Sequence, residues 1–171
     1  MITRFFLLLA LLLAPISVLA EKSLTFDQEV YHEAFRDITP IVHLVEYLRE
    51  GDSFEKWDRL LAIHYYANND DPKSLSATLA ASLKAAGSNV GAMHDAAADA
   101  YLVYFIDTAS GFAEVNVFKY QADPSGEGSL AYQIAKRFYQ VPKADSVQAL
   151  VQNWVAEMYF VQWNNPFFVQ N

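Results

Sequence analysis

The sequence predicts an α+β domain, mainly an antiparallel sheet of about five to six strands packed by two main helices, behind an N-terminal leader. Three observations carry that expectation. Runs rich in branched and aromatic residues recur at 41–48, 57–66, 100–107, 112–120 and 130–139, separated by turn chemistry or helical segments. Two other segments repeat their apolar residues at helical spacing. Two helices are too few to cover both faces of a parallel sheet, which leaves an antiparallel sheet with helices packed on it.

Arg4 precedes the apolar run FFLLLALLLA at 5–14, Pro15 breaks it, and Val18 and Ala20 are small residues at a cleavage spacing. A charged start, a short apolar middle and a small-residue exit describe a secretory signal peptide over 1–20. The run is shorter than the ~20 apolar residues of a spanning helix. An uncleaved N-terminal anchor is the alternative. Residues 21–171 then form one domain, large enough for a real core.

After an ambiguous start, 23–26 reads as a short strand and 28–35 as one or two helical turns. Segments 41–48 and 57–66 read as an antiparallel pair around the turn Glu50-Gly51-Asp52-Ser53. Asp71 and Pro72 open a helix, one as cap and the other where a missing N–H costs nothing. Leu75, Leu79 and Leu83 give that helix one apolar stripe, and Gly87 ends it. Segment 100–107 is apolar on both faces, as a central strand would be, and 112–120 alternates. Segment 130–139 reads as a further alternating strand, with a helix as the alternative. Asp145, with Gln148 three residues on, caps a helix carrying Val147, Leu150, Val151, Trp154, Val155 and Met158, which cannot pass Pro166.

The element order resembles the PsbP/Mog1-like group of sandwich domains, DcrB-like periplasmic proteins among them. Glu46-Tyr47-Leu48-Arg49-Glu50-Gly51-Asp52-Ser53 followed by Trp57, Leu60-Leu61, and Glu114-Val115-Asn116-Val117-Phe118 also resemble segments of uncharacterised secreted bacterial proteins. The resemblance spans about 41–158 and implies an accessory or binding role, with no shared catalytic residues.

Composition narrows the function. Twelve Lys and Arg against twenty Asp and Glu give a net charge of −8, one unit more negative once Arg4 leaves with the leader. Such a surface repels phosphate backbones and anionic headgroups, which argues against nucleic acid and the membrane surface. A basic partner or ordinary solubility fits better. With no cysteine, disulfides, thiol chemistry and thiolate metal sites are absent. His32, His43, His64 and His94 lack short metal-ligand spacing, though His43 and His64 are candidates to meet across the hairpin. Asn68-Asn69-Asp70-Asp71 and Asp123-Pro124-Ser125-Gly126-Glu127 read as a cap and a turn rather than cation loops. No metal or cofactor is implied.

One constellation rises above this background. On 112–120, Phe112, Glu114, Asn116, Phe118 and Tyr120 share a polar-aromatic face, while Ala113, Val115 and Val117 suit a helix-covered core. Glu114, Asn116, Gln133, Arg137 and Tyr139 are the candidate binding residues, with a solvated face and an ordinary Glu114–Arg137 pair as the alternative.

These observations describe a periplasmic or secreted bacterial binding or accessory protein rather than an enzyme. Its partner would be another envelope protein or a small ligand, with no stable membrane insertion after cleavage. Two other readings stand beside it. One is an immunity-type protein that captures a basic toxin. The other is a hydrolase assembled in the fold from His64 with Asp58 or Glu114. Cleavage after Ala20 is expected to leave Glu21 as the first residue, and intact-mass measurement of native material checks it. A product retaining Met1 in the cytosol would overturn the export reading.

Overall fold

The computed structural model describes residues 23–109, 111–140 and 142–167; the leader expected over 1–20 lies outside the described residues. Eight strands and two helices follow one another as β1 (Ser23–Phe26), β2 (Glu29–Ile38), β3 (His43–Arg49), β4 (Arg59–Tyr66), α1 (Pro72–Ala85), β5 (Asn89–Asp95), β6 (Ala100–Ala109), β7 (Phe112–Ala122), β8 (Ser129–Phe138) and α2 (Ala144–Phe160). All eight strands belong to one antiparallel sheet in the order β1-β2-β3-β4-β8-β7-β6-β5. Two four-stranded meanders are therefore joined through their last strands, β4 and β8.

This corrects the expected sheet of five to six strands packed by two main helices: the described residues are mostly sheet, with eight strands. The two strands without a clear sequence signal are β2 and β5. The segment read as helical turns, 28–35, falls in β2, whose pairing with β3 shifts register between Glu33 and Phe35. That bulge interrupts the period-two pattern by which a strand is recognised. β5 carries Asn89, Gly91, Ala92 and Asp95, poor strand formers, and it holds its place at the sheet edge by pairing with β6.

Elsewhere local chemistry agrees with the local structure. Asp71 Oδ1 accepts the Ser74 N–H at 2.9 Å, and Pro72 is the first residue of α1. Gly87, at φ +85°, ends the helix, while the Ser88 N–H returns to the Leu83 carbonyl at 3.0 Å. This is a left-handed cap that glycine adopts without strain. α2 begins one residue before the expected cap. Lys143 flanks it with no side-chain cap bond, and Asp145 sits inside the first turn. There its charge favours the positive end of the helix dipole instead.

The helices lie on opposite faces of the sheet. α1 packs through Leu75, Leu79, Ala80 and Leu83 on Val103, Phe118, Tyr120 and Ala131. α2 packs through Val147, Trp154, Val155 and Met158 on the main core, which includes Leu61, Ile63, Leu102, Val115, Val117 and Ile134. The chain after α2 continues across the same face. Trp163 packs edge-on to Phe26 and Tyr132, and Phe167 packs against His43 and Tyr65. No described helix is long and apolar enough to cross a membrane.

The α2 face of β7 holds one cation among its apolar residues. Lys119 is 1 % exposed, and its ammonium donates to the Tyr159 and Val161 carbonyls at 3.1 and 2.8 Å. The last turn of α2 has no basic residue of its own. Lys119 therefore supplies the positive charge that a helix C-terminus favours, and it satisfies carbonyls that the helix leaves free. Burial lowers its pKa, with Asp95 pulling the other way. Lys119→Met keeps the aliphatic stem but strips both carbonyls of their donor. It is expected to cost about 2–3 kcal/mol in chemical denaturation; unchanged stability would show that the helix end does not rely on it.

Candidate functional site

The polar-aromatic face seen in the sequence is real in its placement. β7 pairs with β8 so that Glu114 lies opposite Arg137 and Phe118 opposite Gln133. Asn116 lies opposite Ala135, one diagonal step from Gln133. Gln133 Nε2 donates to Asn116 Oδ1 at 2.9 Å, and His64 Nε2 meets Gln133 Oε1 at 3.0 Å. A chain of three polar side chains thus crosses β4, β8 and β7, with the His64 ring against Phe118. Burial lowers the His64 pKa, with the Gln133 bond opposing, so the imidazole is neutral at pH 7. With Gln133 oriented this way, His64 Nε2 carries the proton and each of these donors is directed at an acceptor within the network.

The other predicted residues close the same face rather than open it. Arg137 donates from Nε to Glu114 Oε1 at 2.8 Å and brings Nη2 to the same oxygen at 2.7 Å. Its guanidinium lies 4.2 Å from the Trp57 ring centroid and 4.4 Å from that of Phe112. Tyr139 Oη accepts the Trp57 N–H at 2.9 Å and contacts its carbonyl at 3.0 Å. Glu114, Arg137 and Tyr139 thereby hold Trp57 down over Leu48, Leu60, Ala62 and Ala135. An arginine stacked between two rings and held through two nitrogens on one carboxylate oxygen is a rigid element, suited to fixing the β3–β4 loop. The polar groups of the five predicted residues are largely occupied with partners inside the molecule.

Other sequence candidates separate in the fold. Leu44 lies opposite His64 and Tyr65 opposite His43, which puts the two histidines on different faces of the sheet. Asp58 pairs with Lys136 at 2.7 Å and Arg49 at 3.4 Å, and Glu114 with Arg137, so neither reaches His64 as a hydrolytic partner. Asn69 Oδ1 accepts the Asp71 N–H, and Asp123 Oδ1 accepts the Ser125 N–H, both within turns. Among the described residues no group of three His, Cys, Asp or Glu side chains is placed to hold a metal. Glu46, on the face of Leu44 and Leu48, is the described carboxylate that burial raises most plainly without help from another charge. It has no ion-pair partner among the described residues.

What the sequence did not reveal is a cleft of about 740 Å³ under the first half of α2. Three of the helix's four buried residues, Trp154, Val155 and Met158, fall in its second half, and only Val147 in its first. The first half stands over the hairpin end of β6 and β7. Tyr104, Ile106, Ala113, Val147 and Val151 wall the space, while Asn89, Thr108, Gln148 and Gln152 form an exposed polar rim. Among the described residues no Asp, Glu, Lys, Arg or His lines it. Gly91 helps keep it open. A Cβ there would run into the Tyr104 ring, so the missing side chain lets that ring lie outward over the edge strand. The sequence signal was faint: Val147 and Val151 sit beside Gln148 and Gln152 on one helix face, but the opposite wall comes from distant segments.

Together these features define an antiparallel eight-stranded sheet protein with a helix on each face and an uncharged apolar cleft beneath the second. A protein-family model matches residues 19–162, and the chain belongs to that family. No curated protein and no solved structure matches it.

The neutral, half-buried imidazole has a pH signature. Because the folded-state pKa of His64 is lowered, the unfolded chain takes up a proton that the folded chain resists as pH falls below the ordinary value of 6.5. Stability is lost in that direction. Glu46, whose carboxyl burial raises, acts with the opposite sign as pH falls. Comparison with His64→Gln isolates the histidine. The variant's melting temperature should drop less than the parent's between about pH 7.5 and 5.5. Parallel profiles would mean that the imidazole accepts its proton in place.

Proposed function

We propose that this is an exported, non-enzymatic binding protein whose ligand site is the cleft between α2 and the β6–β7 end of the sheet. The single observation carrying the reading is the cleft itself. Its volume falls in the range of small-molecule sites, and apolar walls with a few polar groups at the mouth are the usual construction of such sites. The export half rests on the leader at 1–20. The non-enzymatic half rests on a described lining without Asp, Glu, Lys, Arg or His and on the internal partners of His64, Asp58 and Glu114. General acid–base and nucleophilic catalysis both need a positioned, activated side chain facing the reacting atoms.

The acidic surface does not oppose this reading, since the cleft lining carries no charge of its own. N-phenyl-1-naphthylamine, an uncharged apolar fluorophore, tests it directly. Fluorescence enhancement by the purified protein, lost in Val151→Trp, is the expected result. Val151 is only half-buried, so the larger ring fills the cleft without displacing the deep core. No enhancement, or equal enhancement by a folded Val151→Trp protein, would overturn the assignment.

A further inference from the structure

We infer that the cleft selects an uncharged ligand: one medium-length alkyl chain ending in a neutral hydrogen-bonding head such as a hydroxyl or ester, and not a carboxylate or an ammonium. The inference rests on the binding reading above and deepens it by naming the ligand class. Its basis is the arrangement of the lining. The apolar groups, Tyr104, Ile106, Val147 and Val151 among them, are buried or half-buried, whereas the polar ones are exposed. A chain would therefore lie inward with its head at the mouth.

The head then meets two carboxamides on successive turns of α2, Gln148 and Gln152, facing Thr108 and Asn89 across the opening. Carboxamides and hydroxyls both donate and accept, and they match a hydroxyl or ester without a charge on either side. An ionised head would lose water on entering and find no counter-charge among the lining residues. The basic residues described near the sheet's middle, Arg137, Lys136 and Lys119, are committed to Glu114, to Asp58 and to the end of α2. They are not available to draw in an acid.

Gly91 supplies a second handle, because it is outside the lining yet controls its width. A methyl group at this position collides with Tyr104, whose ring must swing from its place over the edge strand. The space open to that ring is the cleft.

Displacement of bound N-phenyl-1-naphthylamine by 1-decanol, decanoate and decyltrimethylammonium at equal chain length tests the inference. Decanol is expected to compete at least about tenfold better than either ion, the order of one lost charge compensation. Gln148→Lys is expected to shift the preference toward decanoate, and Gly91→Ala to weaken decanol while the protein stays folded by circular dichroism. If the fluorophore binds but decanoate competes as well as decanol, the ligand class is wrong and the cleft assignment stands. If the fluorophore does not bind at all, the assignment itself fails. An unchanged Gly91→Ala would remove Tyr104 from the account of the cleft's width.

Discussion

The fold depends on the pairing of β4 with β8. Each strand closes a four-stranded meander, and neither meander has a reason to sit beside the other until these two meet. From Arg59 opposite Lys136 to Tyr66 opposite Ser129, the register runs the full length of β4. One face of the pair is large and apolar, with Leu61, Ile63, Tyr132 and Ile134 essentially inaccessible. The other face sets three alanines, Ala62, Ala131 and Ala135, among Leu60, His64 and Gln133. An apolar face under α2 and a mixed, alanine-bearing one on the opposite side decide what packs where. The side rich in alanine leaves room for Trp57 to fold over it and for the Phe118 ring to approach His64. Because the two strands are far apart in sequence, loop closure must be met before this contact rewards it. Each meander has then to be assembled mainly by its own hairpins.

Much of that assembly was legible because its signals are local. Asp71 before Pro72 placed the start of α1, and Leu75, Leu79 and Leu83 placed its buried stripe. The alternation of β7 separated Val115 and Val117 from Glu114 and Asn116, and the sheet keeps that separation. β2 and β5 were not legible for a different reason. Strands at or near an edge draw order from a neighbour's hydrogen bonds, and Gly91, Ala92 or the bulge after Glu33 leave no pattern by themselves. The correction from five or six strands to eight is thus a correction at the margins of the sheet. The physics of edges, where pairing substitutes for propensity, predicts errors there.

The candidate site shows the same division between local and distant information. Glu114 opposite Arg137 followed from alternation and a plausible neighbour, and the pair forms. What alternation does not give is the third dimension. Trp57, from a loop more than fifty residues earlier, supplies one of the two rings between which Arg137 is held, and Tyr139 then grips its backbone. A cluster that reads as a recognition surface in one strand pair becomes a fastening once that loop arrives. Conversely, the cleft is built from residues unremarkable in their own segments. No local pattern announces a space.

Whether that space is a packing fault turns on how α2 is held. A helix loosely attached along its length would settle onto the sheet and close any gap, since protein interiors pack densely. α2 is attached unevenly. Trp154, Val155 and Met158 are buried in its second half, and Lys119 fixes its final carbonyls from below. Past the helix, Trp163 and Phe167 extend the attachment toward β1, β3 and β4. The first half has only Val147 buried and no side-chain cap bond at its start. Its height above the sheet is set by the anchored end, much as a lever's tip is set by its clamp. Ala113 below then keeps the floor low, and Gly91 lets the Tyr104 ring lie over the edge strand. Stability concentrated at one end of α2 and openness at the other are therefore two aspects of one arrangement. A cleft supported in this way persists in the absence of anything to fill it.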